Sequence, residues 1–149
     1  MKRLVITWTL VVALFGISAA ARAEQVGEPF VNVFATPDKL NLGTASFFED
    51  TYDVPEALTV KVESNCMHGP IMISATKLKR RRGGVISPER IFVKTSATKG
   101  FVPMSKPVAI SKPEIGSHDI VLDLKVETRF LEPAGEYTGS LIITIMPPV

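Results

Sequence analysis

The segment HDIVLDLKVETRF, residues 118–130, decides the fold class. Ile120, Leu122, Leu124, Val126 and Phe130 occupy one set of alternate positions, and Asp119, Asp123, Lys125, Glu127 and Arg129 the other. Alternation with period 2 over this length predicts a β-strand with one buried and one wet face. In a helix Ile120 and Leu122 would lie about 200° apart and could not share a core face. The segment YTGSLIITIM, residues 137–146, predicts a second strand. It places Tyr137, Leu141, Ile143 and Ile145 on one face and Thr138, Ser140, Ile142, Thr144 and Met146 on the other. Its β-branched content suits a pleated sheet.

Between the two lies LEPAGE, residues 131–136, too long for a two-residue hairpin. Pro133 and Gly135 supply turn chemistry, so the connection reads as a corner carrying the chain from one sheet to another. Tyr137, just past it, resembles the tyrosine corner of immunoglobulin-like sandwiches, whose hydroxyl bonds back to the upstream backbone.

The rest of the chain reads as short strands separated by turns. Val31, Val33 and Phe34 predict one strand and Thr36-Pro37-Asp38 a turn. Leu40, Leu42 and Gly43 predict another short strand, and 44–55 an irregular stretch. Residues 57–64 alternate again, with Leu58, Val60 and Val62 inward. A loop over 65–70 precedes a strand beginning at Ile71 and Ile73. That strand runs into a hairpin tip at 79–84; further strands centre on Ile91 to Val93 and, flanked by prolines, on 108–110. About eight short strands without a convincing helix predict an all-β protein, an immunoglobulin-like antiparallel Greek-key sandwich.

Residues 1–23 read as a signal peptide: Lys2 and Arg3, an apolar stretch from Leu4 to Ala21, then Ala21-Arg22-Ala23 as a small-x-small cleavage signal. The expected mature domain is 24–149, exported to the periplasm, the cell surface or the medium, with no membrane span left after cleavage. Removing Lys2, Arg3 and Arg22 from 17 basic residues leaves 14 against 15 acidic ones, a net charge of −1. Such a chain has no global field to draw it to nucleic acid. The remaining 126 residues suit one domain. With one cysteine, Cys66, no internal disulfide is possible, so stability rests on packing and sheet pairing.

No nucleophile elbow, zinc-protease helix or phosphate-binding glycine loop is present, and the expectation is a protein with no catalytic site and no cofactor. Two stretches remain. Cys66-Met67-His68 offers soft ligands suited to copper or zinc, with the alternative of a packed thiol beside a loop histidine. The blue-copper proteins place such ligands between their last two strands; here that connection, 131–136, carries none. The basic run Lys77, Lys79, Arg80, Arg81 and Arg82 is dense enough to hold an anionic ligand, or is a solvated hairpin tip.

The ending PAGEYTGSLIITIMP resembles the C-terminal strand of exported bacterial β-sandwich subunits, the chaperone–usher pilins and spore-coat-U-like proteins, with their Gly-x-Tyr-x-x-x-hydrophobic pattern. The resemblance implies a pilus-like sandwich lacking its last strand, completed by strand addition from a neighbour. The arm 24–35 is then a donor, or alternatively folds back on its own domain. Those pilins carry a disulfide that this chain cannot form. The expected role is structural or adhesive, through self-association or protein partners at sheet edges, with a periplasmic metal-handling protein as the alternative.

Overall fold

The computed structural model describes residues 27–48 and 50–145, so the predicted signal peptide lies outside it. The described chain is mostly β-strand. Eleven strands follow in order: β1 (Val31–Thr36), β2 (Thr51–Ser64), β3 (Ile71–Ala75), β4 (Leu78–Arg80), β5 (Val85–Ile86), β6 (Ile91–Lys94), β7 (Val102–Pro103), β8 (Val108–Ala109), β9 (Gly116–Glu127), β10 (Tyr137–Thr138) and β11 (Leu141–Ile145). One turn of 3-10 helix, Pro88–Arg90, precedes β6, with the Ser87 hydroxyl accepting from the Glu89 amide. Among the described residues no helix is long and apolar enough to cross a membrane.

All pairings are antiparallel. The largest sheet has the order β1-β2-β9-β6-β7. Its backbone is the pairing of β2 with β9, which sets Leu58 opposite Leu122, Val60 opposite Ile120 and Val62 opposite His118. These alternate residues share one face because the pleat returns every second side chain to the same side. Two further three-stranded sheets have the orders β11-β3-β8 and β10-β4-β5. They are stitched together where Thr76 donates its amide to the Ser140 carbonyl and Ser140 donates its amide to Thr76 Oγ1. The buried residues of all the sheets form one hydrophobic cluster: Ile71, Ile73 and Ile86 pack with Val60, Val62, Leu122, Leu124 and Val93.

The alternating segment is a strand as predicted, from Gly116 to Glu127, with Ile120, Leu122, Leu124 and Val126 buried. Phe130 departs from the expectation. The strand stops at Glu127 because Thr128 turns to exchange bonds with Asp50, and Phe130 is 58% exposed. Residues 44–55 are not wholly irregular either. β2 begins at Thr51 and absorbs Pro55 and Glu56 in a bulge between Val54 and Leu58, where Glu56 takes φ 49°. Its amide, lost to the ladder, donates to Asp123 Oδ1 at 2.9 Å. The short strand predicted at Leu40 and Leu42 does not form; the chain there is a strap whose one β-bridge joins Ala45 to Gly135. The predicted final strand is interrupted at Gly139. A Cβ on Gly139 would stand 2.6 Å from Leu78 Cδ2 and 3.2 Å from the Lys77 carbonyl, so only glycine lets the two chains cross so closely there.

Candidate functional site

The core is closed in the middle of each sheet and open along one side. Among the described residues β1 pairs with β2 alone and β11 with β3 alone, so each has one edge without a partner there. On β3 the inward residues Ile71 and Ile73 are fully buried. On the neighbouring β11 their register partners Ile145 and Ile143 are only half-buried, Leu141 beside Ala75 is half-buried too, and Ile142 on the other face is 47% exposed. A cavity of about 630 Å³ lies between these edges. Core residues Leu58, Ile86 and Leu124 form its floor, Leu141 and Ile143 one wall, and Leu40 and Leu42 of the strap the other. The strap is anchored at its far end by two bonds, Ala45 amide to Gly135 carbonyl at 3.1 Å and Gly135 amide to Ala45 carbonyl at 3.0 Å.

The corner predicted from Pro133, Gly135 and Tyr137 is a rigid joint. Tyr137 Oη donates to the Pro133 carbonyl at 2.7 Å. Burial pushes the Tyr137 phenol above its ordinary value, and the charge of Glu132 adds to that rise. Gly135 has φ 144°, and a Cβ there would come within 3.0 Å of Arg80 Nε. The basic run is the hairpin tip that was expected. Lys79 and Arg80 lie in β4, and Arg81, Arg82, Gly83 and Gly84 make the turn, closed by the Arg80 amide donating to the Gly84 carbonyl at 3.1 Å. Gly83 and Gly84 have φ 85° and 101°, the left-handed region that glycine enters without strain. Lys77, Lys79, Arg81 and Arg82 are exposed and Arg80 half-buried.

The Cys66-Met67-His68 side chains diverge. Cys66 is half-buried, its thiol 3.5 Å from the Phe30 carbonyl. Met67 is 55% exposed, and His68 is buried. His68 Nδ1 lies 2.7 Å from the Gly69 carbonyl and is therefore the protonated nitrogen; its buried Nε2 has no partner among the described residues. Among the described residues no three His, Cys, Asp or Glu side chains gather closely enough to hold a metal ion.

Three features were not read from the sequence. Arg90 and Glu132, 14% and 17% exposed, form an ion pair that braces the corner loop. The Arg90 guanidinium holds the Glu132 carboxyl below its usual range against the opposing effect of burial, helped by the Arg129 amide. Lys125 Nζ sits 4.4 Å over the Phe92 ring and 5.2 Å over Phe101, a cation–π arrangement on the outer face of the large sheet. Phe47, Phe48 and Phe130 form one exposed aromatic cluster drawn from two loops. Of these only the Phe47-Phe48 doublet left a signal in the sequence, as two large apolar residues in a stretch otherwise rich in acids.

No protein-family model matches the chain, and no curated protein matches it.

Proposed function

We propose that this chain is an exported immunoglobulin-like Greek-key β-sandwich without a catalytic site, a structural, adhesive or protein-interaction subunit of a bacterial envelope. It engages its partner by strand addition at the free edge of β11. One observation carries the reading: β11, without a second partner strand among the described residues, borders a cavity floored by Leu58, Ile86 and Leu124, and its Ile143 is half-buried while Ile73 one strand inward is fully buried. An added strand gains main-chain hydrogen bonds from the edge and places alternate side chains into the cavity. Natural sheets usually blunt a free edge with charge or proline. β11, Leu-Ile-Ile-Thr-Ile, carries neither. The donor is a strand other than β1, because Val31–Thr36 is paired with β2 of its own chain over its whole length.

Light scattering over a range of concentrations tests this on the wild-type chain and on Ile142→Lys with Thr144→Lys, outward positions of the edge. The expected result is an associated species that the lysine pair returns to the monomer mass. A wild-type monomer whose β11 amides exchange freely at every concentration defeats the reading.

The metal-handling alternative has one supporting observation. His68 donates from Nδ1 to a backbone carbonyl and keeps a buried Nε2 that has no partner among the described residues, as a metal-ligating histidine is prepared. Copper or zinc titration would then raise the unfolding temperature, and His68→Gln would abolish the rise.

A further inference from the structure

We propose that the pole of the molecule carrying Phe48, Phe130 and Leu131 docks onto an anionic bilayer surface. The apolar tip enters the interface and the neighbouring Lys79–Arg82 hairpin meets the headgroups. Such docking is independent of strand addition at β11.

The tip is built from two loops. Phe47, Phe48, Phe130 and Leu131 are 47%, 68%, 58% and 62% exposed. Phe47 packs edge-to-face on both other rings, at 5.9 Å from Phe48 and 6.0 Å from Phe130, so the three rings are one patch. Exposed apolar residues scattered singly need no explanation, but a contiguous cluster marks an interaction site.

Hydrogen bonds and an ion pair brace the loop that carries Phe130 and Leu131. Asp50 donates its amide to Thr128 Oγ1, and Thr128 returns its amide to the Asp50 carbonyl at 2.9 Å. Arg129 donates its amide to Glu132 Oε2 at 2.7 Å, Glu132 donates its amide to the Arg129 carbonyl, and Arg90 pairs with the Glu132 carboxylate. Within this frame Leu131 is held at φ 70°, a conformation costly for a leucine and free for a glycine. Backbone strain of this kind persists where the surrounding structure imposes it, and clusters at functional positions. Here it turns a large apolar side chain out toward solvent.

The basic hairpin belongs to the same pole. A Cβ at Gly84 would touch Tyr137 Oη, which is bonded to Pro133, two residues beyond Leu131. Arg90 further ties the Val85 carbonyl to Glu132. These contacts join the base of the Lys79–Arg82 hairpin to the corner loop that carries Phe130 and Leu131, and Arg129 lies in that same loop. Glu132 is neutralised by Arg90 and Glu127 by Lys125. Asp50, Glu89 and Glu136 are the exposed acids of these loops, with Glu49 in the sequence of one of them, so the bases prevail and concentrate on the hairpin. An apolar tip with an adjoining basic hairpin is what an anionic bilayer interface binds. A protein partner would need roughly 800 Å² from each side, more than four side chains on loop tips present.

Flotation with vesicles of phosphatidylcholine, with and without phosphatidylglycerol, tests this on protein expressed from its full sequence. The expected result is binding that needs phosphatidylglycerol and weakens with salt. Arg81→Ala with Arg82→Ala lowers it about 30-fold at low salt, at about 1 kcal/mol per charge. Phe130→Ser with Leu131→Gly lowers it at least about tenfold at every salt concentration, with an unchanged unfolding temperature because glycine relaxes φ 70°. Ile142→Lys with Thr144→Lys leaves flotation unchanged, which separates this result from the fate of the edge-strand reading. Flotation that neither tip variant alters, or none at all, overturns the proposal. So does a vesicle-free oligomer that the Phe130/Leu131 variant dissolves, which would make the tip a protein contact.

Discussion

The Tyr137 hydroxyl donates at 2.7 Å to the carbonyl of Pro133, four residues back along the same loop. That bond closes the corner between the strand ending at Glu127 and β10. It also locks the neighbouring hairpin, because the space over Gly84 is filled by the Tyr137 ring. Tyr137→Phe should cost about 1 kcal/mol, the net worth of one hydrogen bond, measured by urea denaturation with an unchanged m-value.

Gly84→Ala should be much more damaging than Gly83→Ala. Both glycines have positive φ, but a Cβ on Gly84 would lie 2.6 Å from Tyr137 Oη, whereas one on Gly83 meets nothing within 4 Å. The backbone cost common to both is about 1 kcal/mol; the steric excess belongs to Gly84 alone. A double-mutant cycle of Gly84→Ala with Tyr137→Phe should show coupling, and Gly83→Ala with Tyr137→Phe should show none.

The Arg90–Glu132 pair makes stability fall in acid. Arg90 lowers the folded-state Glu132 pKa below the unfolded value. The contribution is therefore full above the ordinary glutamate range and is lost as pH falls through the depressed folded value. Glu132→Gln should remove part of the acid-side slope and cost about 2 kcal/mol at neutral pH, as for a hydrogen bond to a charged group. Thermal melts between neutral pH and acid, wild type against variant, read both.

The bulge in β2 places Glu56 at φ 49° while its amide bonds Asp123. Glu56→Gly keeps the amide and removes the strain, so it should be neutral or stabilising by up to about 1 kcal/mol. Asp123→Ala should destabilise, because it strips the acceptor from that amide and the partner from Lys94. If Glu56→Gly destabilises instead, the bulge is not strained there.

Core and tip should respond oppositely. Leu122 is fully buried between β2 and β6, and Leu122→Ala should cost about 2–5 kcal/mol through the cavity it leaves. Phe48, 68% exposed, should tolerate serine within about 0.5 kcal/mol. Chemical denaturation of the two variants makes the comparison.

Some of this was legible in residue order alone. The all-β class, the buried face of β9, the inward set Leu58, Val60 and Val62, the basic hairpin tip and the turn at Pro133 and Gly135 all follow from period-2 alternation and turn chemistry. These are local properties: side-chain direction repeats every two residues, and glycine or proline limits the backbone where it stands. Other features needed the fold. Phe130 continued the alternation of β9, yet it faces solvent because Thr128 found Asp50, 78 residues away. Arg90 met Glu132 across 42 residues, and Phe47 met Phe130 across a still longer span. Cys66, Met67 and His68, adjacent in the chain, separated into half-buried, exposed and buried positions. Alternation fixes which way a strand residue points relative to its neighbours. Where a strand stops, which edges stay open and which distant loops share a pole depend on contacts between segments far apart in the chain, so they emerge with the folded structure.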